Sequence, residues 1–416
     1  MAKLWQGSGG GLHPLVEAYT VGEDYRLDGE FLLPYDLKAS EAHATMLQKI
    51  GVLTAEELTT LKRALQEIGD FKVTLSQEDG HTAIEQYITE MLGKSDPLFR
   101  SRNWPKYGEV GKKIHTGRSR NDQSMTMIRL YSLEQLKTVK ALVLELSKAA
   151  EARGSELKAV PMPGALGRFA LGYTHMQRAM PTTVGTWLGS FAAGWLDAQK
   201  LLEGAMAVLD QNPLGSAAGF GINGLQLDRG ETAKLMGFAG VQHNPMYCGL
   251  SRGMFENVAL QAMSLPMVLS SRFATERASE MGLTSSCRSH LQLLQCCMPS
   301  EDMMMFTQQE SLFVALPDNF VTGSSIMPQK KNYDLFEIMR ANGKVFGSLQ
   351  MQIQETIVGL GSGYHRDLQC TKKAFIEACE LCTSTLRLLK EAWVATAKAS
   401  ASSVFVNLGS GDRLID

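Results

Sequence analysis

The sequence predicts an all-α protein, because helical patterns cover most of its 416 residues and alternating strand patterns are scarce. The stretch from Thr54 to Gly69 gives a clear helix signal. Thr54 can cap the helix and Glu57 completes a capping box, while Leu61 and Leu65 fall on one apolar face. Gly69 is a natural stop. This segment is therefore expected to be an amphipathic helix of a small N-terminal domain.

Five longer segments are expected to form the helices of a long central bundle. Residues 123–153 contain no Gly or Pro, and roughly 30 residues at 1.5 Å per residue would make a helix about 45 Å long. The other four segments are 182–209, 254–281, 333–356 and 371–398. Helices this long and apolar exceed what one chain can cover, so we expect copies of the chain to associate through helix faces.

Composition excludes several classes of partner. The formal net charge of −2 gives no general attraction to nucleic acid or to an anionic membrane surface. No apolar run reaches the ~18 residues of a membrane span, and the N-terminus has no apolar signal core. We expect a cytoplasmic protein that acts on a small molecule and binds neither nucleic acid nor membrane.

Two patterns that often mark metal or cofactor sites lack their usual context here. Cys379 and Cys382 have no second pair to complete a zinc site, so a packing role in a helix is favoured over metal or redox chemistry. Gly219, Gly221 and Gly224 fit a dinucleotide-binding spacing, but no strand pattern precedes them. They are expected to form a loop between helices. We expect no metal and no organic cofactor.

Residues 322–332, Thr-Gly-Ser-Ser-Ile-Met-Pro-Gln-Lys-Lys-Asn, combine small flexible residues, hydroxyls and cations. Gly323 lets the backbone bend, Ser324 supplies a hydroxyl, and Lys330 and Asn332 supply a charge and a neutral donor. Such a segment can close over an anion and suits proton abstraction beside a carboxylate. Taken alone, it would also fit a flexible turn.

A second motif occupies residues 115–123, His-Thr-Gly-Arg-Ser-Arg-Asn-Asp-Gln. Together with residues 322–332 it resembles the argininosuccinate lyases of the fumarase/aspartase superfamily, to which the δ-crystallins are related. The resemblance extends over approximately residues 3–398. It implies a twenty-helix core in a homotetramer whose active sites are each shared among three subunits. The domains it implies are an N-terminal domain at 1–114, a central helical-bundle lyase domain at 115–405 and a remnant of a truncated C-terminal domain at 406–416.

The resemblance also implies which residues carry the chemistry. Ser324 would abstract the proton, with its alkoxide stabilised by loop amides and by Lys330 when the loop closes. Thr174 and His175 match a segment that faces the substrate, and a histidine suits proton donation to a departing nitrogen near neutral pH. The division of the acid role between them stays open. Glu337 resembles the carboxylate that orients this histidine and favours its protonated form.

The other matching positions are expected to bind the substrate. Hydroxyl, amide and guanidinium groups are the donors that a dianionic aci-carboxylate intermediate requires. Arg366 stands where the family more often has Lys. Arg keeps the positive charge of Lys and adds a guanidinium group that can bind a carboxylate through two hydrogen bonds. The expected binding residues are Thr20, His81, Arg118, Ser119, Arg120, Asn121, Gln177, Asn332, Tyr364, Arg366 and Gln369.

The resemblance implies conversion of L-argininosuccinate to fumarate and L-arginine by β-elimination, the last step of arginine biosynthesis, without metal or organic cofactor. Two alternatives stay open: a sister lyase acting on another N-succinyl compound, and a catalytically inactive crystallin-like oligomer. Residues 95–107, residues 163–171 and a segment within 271–293 do not fit the family pattern and resemble insertions.

Overall fold

A computed structural model describes residues 13–69, 72–93, 107–161, 171–174, 177–274, 303–307 and 316–398. Helices dominate these residues, as the sequence predicts. The shorter helices are α1 (Pro14–Val21), α2 (Asp24–Leu27), α3 (Leu33–Lys49), α4 (Ala55–Glu67), α5 (Gly80–Gly93), α6 (Tyr107–Lys113), α9 (Arg229–Met236), α10 (Pro245–Ser251) and α12 (Met303–Phe306). The longer helices are α7 (Arg120–Glu156), α8 (Val184–Leu209), α11 (Met254–Ala274), α13 (Asp334–Ile357) and α14 (Cys370–Lys398).

Among the described residues, four short strands form two small sheets. Strand β1 (Leu171–Thr174) is antiparallel to β2 (Gln177–Pro181), and β3 (Gln211–Asn212) is parallel to β4 (Gly240–Val241). One-turn segments add a π-helix at Asp28–Leu32 and 3₁₀ helices at Leu75–Gln77, Asp318–Phe320 and Arg366–Gln369.

The five predicted long helices are all present, with shifted ends. The segment predicted at 123–153 is α7, a helix of 37 residues. The segment predicted at 254–281 is α11, which is described as far as Ala274. Among the described residues, no helix combines the length and the apolar content that crossing a membrane requires.

The chain divides into two compact units. The first unit comprises Met1–Glu134, Met206–Val258 and Gln352–Ile376, and the second comprises Gln135–Ala205, Ala259–Met351 and Glu377–Asp416. Each unit therefore combines three separate segments of the chain. The domains expected at 1–114, 115–405 and 406–416 follow chain order instead, and they stay a prediction.

The core of the first unit forms where α3, α4, α5 and α6 pack together, with Leu47, Leu61 and Ile88 fully buried. The predicted capping box of α4 is confirmed. The Glu57 amide donates to the Thr54 hydroxyl at 3.1 Å, and the Thr54 amide donates to the Glu57 carboxylate at 2.9 Å. These two bonds satisfy amides that the helix itself leaves without acceptors.

The core of the second unit is aromatic. The ring centroids of Trp195 and Trp393 lie 5.6 Å apart, and those of Phe273 and Trp393 lie 5.0 Å apart. The end of α7 and the start of α8 approach closely at Gly185, where a Cβ would lie 2.5 Å from the Gly154 carbonyl oxygen. Only glycine fits at this crossing.

The glycine-rich loop from residue 215 to 224 is present, but the expectation that no strand precedes it was wrong. Strand β3 lies just before the loop and runs parallel to β4, with α9 between them. A strand of two residues is too short to show the alternation by which strands are predicted. The amides of Gly215 and Ala217 donate to the Asp122 carboxylate, so these amides are already bonded within the protein.

The described cysteines are free thiols, Cys248, Cys370, Cys379 and Cys382. Cys379 and Cys382 are fully buried in α14. Burial raises the pKa of both thiols, to about 12 for Cys382. A thiol with so high a pKa is unreactive at neutral pH, which agrees with the predicted packing role.

Candidate active site

A polar pocket of about 420 Å³ lies in the first unit. Charged and hydrogen-bonding side chains from distant parts of the sequence line it. Seven of the predicted substrate-binding residues are among them: His81, Ser119, Arg120, Asn121, Tyr364, Arg366 and Gln369. The folded chain therefore brings together three of the motifs that the sequence singled out.

The start of α7 is held in place by Asp122. One carboxylate oxygen accepts from the Ser119 amide at 2.9 Å, and the other accepts from the amides of Gly215 and Ala217 at 2.9 and 2.8 Å. Burial raises the pKa of Asp122 to about 6, and the amide donors limit the rise. This carboxylate ties the glycine-rich loop to the turn that presents Ser119, Arg120 and Asn121.

Glu78 joins two predicted binding residues across the pocket. Its carboxylate lies 3.4 Å from the Arg120 guanidinium and 3.1 Å from the Arg366 guanidinium. Asp79 adds a second contact to Arg120, at 3.2 Å. The backbone of Glu78 has φ +72°, in the left-handed region that costs a non-glycine residue about 1 kcal/mol or more. A strained residue with two cations on its carboxylate is typical of a functional site.

His81 forms a buried pair with Asp36. Its Nδ1 donates to the Asp36 carboxylate at 2.6 Å, and both side chains are almost fully enclosed. Burial alone would lower the pKa of His81, but the charge and hydrogen bond of Asp36 outweigh it, so the pKa is raised. Within the part of the chain that the structure describes, the Nε2 of His81 is buried without a hydrogen-bond partner. A ligand in the pocket that His81 lines could supply that partner.

Lys372 carries a buried charge at the same pocket. Its ammonium lies 2.7 Å from Asp28 and 3.1 Å from Asp24. Asp28 also accepts from the Gly80 amide at 3.0 Å. Burial would lower the pKa of Lys372, but the charges of Asp28 and Asp24 reverse the effect and raise it. The ammonium therefore stays charged inside the protein.

Sequence reasoning did not assign Lys372 or Arg252 to the site, although both line the pocket. A signal for Lys372 was available. Lys372 falls on the buried face of α14, because it precedes the buried residues Phe375, Ile376 and Cys379 by three, four and seven positions. A lysine at a core position of an amphipathic helix indicates a buried ion pair. Arg252 has no comparable signal, because it lies between two helices.

Two predicted binding residues lie beside the pocket without lining it. The Thr20 hydroxyl donates to a carbonyl one turn back in α1 at 2.7 Å, and the Thr20 carbonyl accepts from Arg366 and Gln369, both at 3.0 Å. Arg118 is half-buried, and its guanidinium donates to the Ser40 hydroxyl at 3.0 Å. In this structure both residues support the pocket wall.

The loop at residues 322–332 belongs to the second unit and is closed at its base. The backbones of Thr322 and Asn332 exchange two hydrogen bonds of 2.9 Å. Within the loop, the Met327 amide donates to the Ser324 hydroxyl at 3.3 Å. Lys330 is exposed and has no ion-pair partner among the residues that the structure describes. The loop thus presents a hydroxyl and an exposed ammonium, and its closure over an anion stays a prediction.

The structure describes only part of the segment that contains the predicted proton donors Thr174 and His175. The backbones of Thr174 and Gln177 pair at the turn between β1 and β2. His175 lies outside the described residues. Glu337 is exposed in the first turn of α13. The roles of Thr174, His175 and Glu337 therefore stay predictions.

A family profile described as Lyase matches residues 19–276 of the chain. Two curated relatives are named argininosuccinate lyase. The protein from Stenotrophomonas maltophilia is 38% identical over 392 residues, which cover 93% of this chain and 79% of that protein. The protein from Thermotoga neapolitana is 37% identical over 398 residues, covering 93% of this chain and 86% of that protein.

Solved structures show the same fold at lower identity. The class II fumarase from Schistosoma mansoni has a TM-score of 0.67 at 16% identity, over 90% of this chain and 79% of that one. A fumarate lyase:delta crystallin from Brucella melitensis has a TM-score of 0.65 at 18% identity, over 91% and 79% of the two chains. These similarities show that the shared fold covers most of the chain.

Proposed function

Because the chain belongs to the argininosuccinate lyase family, a group of carbon–nitrogen lyases, we propose that it converts L-argininosuccinate to fumarate and L-arginine. This reaction is the last step of arginine biosynthesis. The observation that carries the proposal is the pocket, in which seven residues of the family motifs, Arg120 and Arg366 among them, meet two further cations, Arg252 and Lys372. Argininosuccinate has three carboxylates, and a pocket rich in guanidinium and ammonium groups suits such a ligand.

The elimination begins with removal of a proton from the carbon beside a succinyl carboxylate. The electrons move into that carboxylate and create a dianionic aci-carboxylate. Arg120, Ser119 and Asn121, which line the pocket at the start of α7, offer the charge and the donors that stabilise it. The C–N bond then breaks, its electron pair goes to the guanidino nitrogen, and that nitrogen takes up a proton.

Ser324 is the base in this proposal. A serine hydroxyl is a weak base until its alkoxide is stabilised, and loop closure over the substrate would supply loop amides and the Lys330 ammonium for that purpose. Asn332, at the base of the loop, would donate to the substrate. The acid that protonates the departing nitrogen is His175 or Thr174, with His175 oriented by Glu337.

We further propose a cytoplasmic homotetramer whose active sites are shared among three subunits, so that the 322–332 loop of one copy completes the pocket of another. Exposed apolar side chains on the long helices support association. Ile338 and Val345 lie seven residues apart on one face of α13 and are 60% and 47% exposed. The free thiols are typical of a reducing compartment.

The direct test is to incubate the purified protein with argininosuccinate and to follow fumarate by its ultraviolet absorbance. Ser324→Ala should lower the rate by about a hundredfold or more, since it removes the base. Ser325→Ala is the matched control and should stay within about tenfold of the wild type. Release of fumarate from a different N-succinyl compound only would favour a sister lyase. No release from a folded tetramer would favour a crystallin-like oligomer.

A further inference from the structure

Helix α3 buries a row of polar side chains. Asp36, Ser40 and His43 follow one another at intervals of four and three residues, which places them on one face of the helix, and they are 0%, 1% and 1% exposed. We call this set the polar face of α3. Buried polar groups cost stability unless they are hydrogen-bonded, so their partners indicate what the face does. The partner of Asp36 is His81, which lines the pocket.

The other two members of the polar face hold the turn that precedes α7. The Ser40 hydroxyl accepts from the Arg118 guanidinium at 3.0 Å, and His43 Nε2 donates to the Thr116 carbonyl at 2.8 Å. A carbonyl oxygen can only accept, so Nε2 carries the proton. Burial and the nearby charge of Arg118 lower the pKa of His43 well below its ordinary value. The imidazole is therefore neutral, and its one N–H is committed to the turn.

Residues 119–121, Ser-Arg-Asn, line the pocket and lie between two anchors. Asp122 holds the start of α7 on one side. On the other side, the polar face of α3 holds Thr116 and Arg118. Gly117, between these two, has φ +75°, a left-handed conformation that suits glycine, and a glycine backbone has little preference of its own. Bonds from outside the turn must therefore set its direction, and α3 supplies two of them.

We propose that the polar face of α3 positions residues 119–121 for the elimination, with His43 as the main contact to the turn. The inference rests on the proposed function, in which residues 119–121 stabilise the aci-carboxylate. Groups that stabilise a developing charge must be in place before the reaction, and a displacement of about 1 Å can cost about a hundredfold in rate. None of the three members of the face is among the residues that line the pocket, so they act through the residues they hold.

Hydrogen–deuterium exchange tests the hold on the turn without requiring turnover. His43→Leu removes the donor to Thr116, whereas His43→Gln keeps an N–H donor at a similar reach. The amides of residues 115–121 should exchange about tenfold faster or more in His43→Leu and should stay near the wild-type rate in His43→Gln. Leu47→Val, in the apolar core contacted by the same helix, is the control, and it should lower the unfolding temperature without loosening this turn selectively. An unchanged exchange rate of the turn in His43→Leu would overturn the hold.

Steady-state kinetics test the effect on the reaction. In His43→Leu, kcat for argininosuccinate should fall about tenfold to a hundredfold with a smaller change in KM, because residues 119–121 act in the transition state. His43→Gln should recover most of the loss, and Leu47→Val should show none. If His43→Leu does not fold, Ser40→Ala, which removes the acceptor of Arg118, takes its place in every comparison.

A double-mutant cycle separates positioning from a general loss of folded protein. Asn121→Ala removes part of what the polar face positions. In that background His43→Leu should lower kcat by no more than about threefold, because the two changes affect one unit. A further loss as large as in the wild-type background would overturn the positioning role.

The two kinds of measurement distinguish this inference from the proposed function. Absence of turnover in the wild type, with a turn loosened selectively by His43→Leu, would count against the lyase function and support the hold on the turn. Turnover in the wild type that His43→Leu leaves unchanged would overturn the positioning role and leave the lyase function intact. Absence of both turnover and loosening would overturn the two together.

Discussion

At the scale of single residues, the pocket is a set of charges held in place by other charges. Glu78 fixes two guanidinium groups, Asp36 fixes His81, and Lys372 is enclosed by carboxylates. The sequence predicted the pocket residues that lie in short contiguous motifs. It did not predict the role of Lys372. The helical pattern places this lysine on a buried face, but its partners Asp24 and Asp28 are far away in the chain and become neighbours only on folding.

Substitution of Glu78 by Gln should weaken substrate binding. Arg366 would lose the Glu78 charge and Arg120 would keep only Asp79, so the two guanidinium groups would repel each other more strongly and shift from the positions in which they meet the substrate. We expect KM for argininosuccinate to rise about tenfold, equivalent to about 1.4 kcal/mol, with a smaller change in kcat. Steady-state kinetics would measure this. Glu67→Gln on the exposed face of α4 is the control, and an unchanged KM in Glu78→Gln would contradict the expectation.

The pair of His81 and Asp36 should make stability depend on pH. The raised pKa of His81 means that the folded protein holds this proton more tightly than the unfolded chain. The resulting stabilisation is complete below the unfolded value of about 6.5 and is lost as the pH rises through the raised folded value. The free energy of unfolding of the wild type should therefore exceed that of Asp36→Asn most at about pH 6 and progressively less towards pH 9. Denaturant titrations at several pH values would measure the difference, and a constant gap would speak against it.

At the scale of elements, the sequence predicted what is encoded locally. The cap and the stop of α4 lie within one segment, and the observed helix, Ala55–Glu67, matches them. Helix α7 begins at Arg120, before the predicted residue 123, because Asp122 accepts from the Ser119 amide and caps the turn from within the helix. The β3–β4 pair escaped prediction because two-residue strands depend on pairing across the fold.

Substitution of Asp122 by Asn should release the glycine-rich loop from the start of α7. Asn has one acceptor oxygen in place of two, so either the Ser119 N–H or the N–H groups of Gly215 and Ala217 would face its NH₂ group and lose their acceptor. We expect the free energy of unfolding to fall by about 3 kcal/mol and kcat/KM to fall with it. Asp210→Asn is the matched control, because its side-chain oxygen can still accept from the Ala239 amide, and it should cost under about 1 kcal/mol. Equal effects in the two variants would refute this role of Asp122.

The capping box of α4 gives a second prediction at this scale. Thr54→Ala removes the acceptor for the Glu57 amide and should lower the free energy of unfolding by about 1 kcal/mol. Thr59→Ala, an exposed position within the same helix, should change it by no more than about 0.5 kcal/mol. Chemical denaturation would compare the two, and a reversed order would show that the box contributes little.

At the scale of the whole molecule, the length of the helices predicts association, which stays a prediction, and α13 carries the exposed apolar residues Ile338 and Val345. Sequence alone could not predict the two compact units, because each combines three separate chain segments. Contacts between distant segments determine such a division, and no local pattern encodes them.

Shared active sites predict recovery of activity in mixed oligomers. Ser324→Ala and Arg120→Gln should each be nearly inactive alone. The two variants are then unfolded and refolded together in equal amounts. If a site takes Ser324 from one subunit and Arg120 from another, about a quarter of the sites should contain both unmutated residues. The mixture should therefore recover up to about a quarter of wild-type activity. Ser324→Ala mixed with Lys330→Ala is the control, because both changes lie in one loop and no site escapes them. Equal activity in the two mixtures would argue against sharing.

The bond between Lys372 and Asp28 joins residues 344 positions apart. At about 5–20 residues per second, a ribosome adds Lys372 roughly 17–70 s after Asp28. Throughout that interval Asp24 and Asp28 lack the ammonium that neutralises them, and the wall of the pocket cannot close around two bare carboxylates. The site is therefore completed only after Lys372 has been added to the chain. A nascent chain released before residue 372 would keep this region open to proteases, so an aborted product would be cleared rather than accumulate.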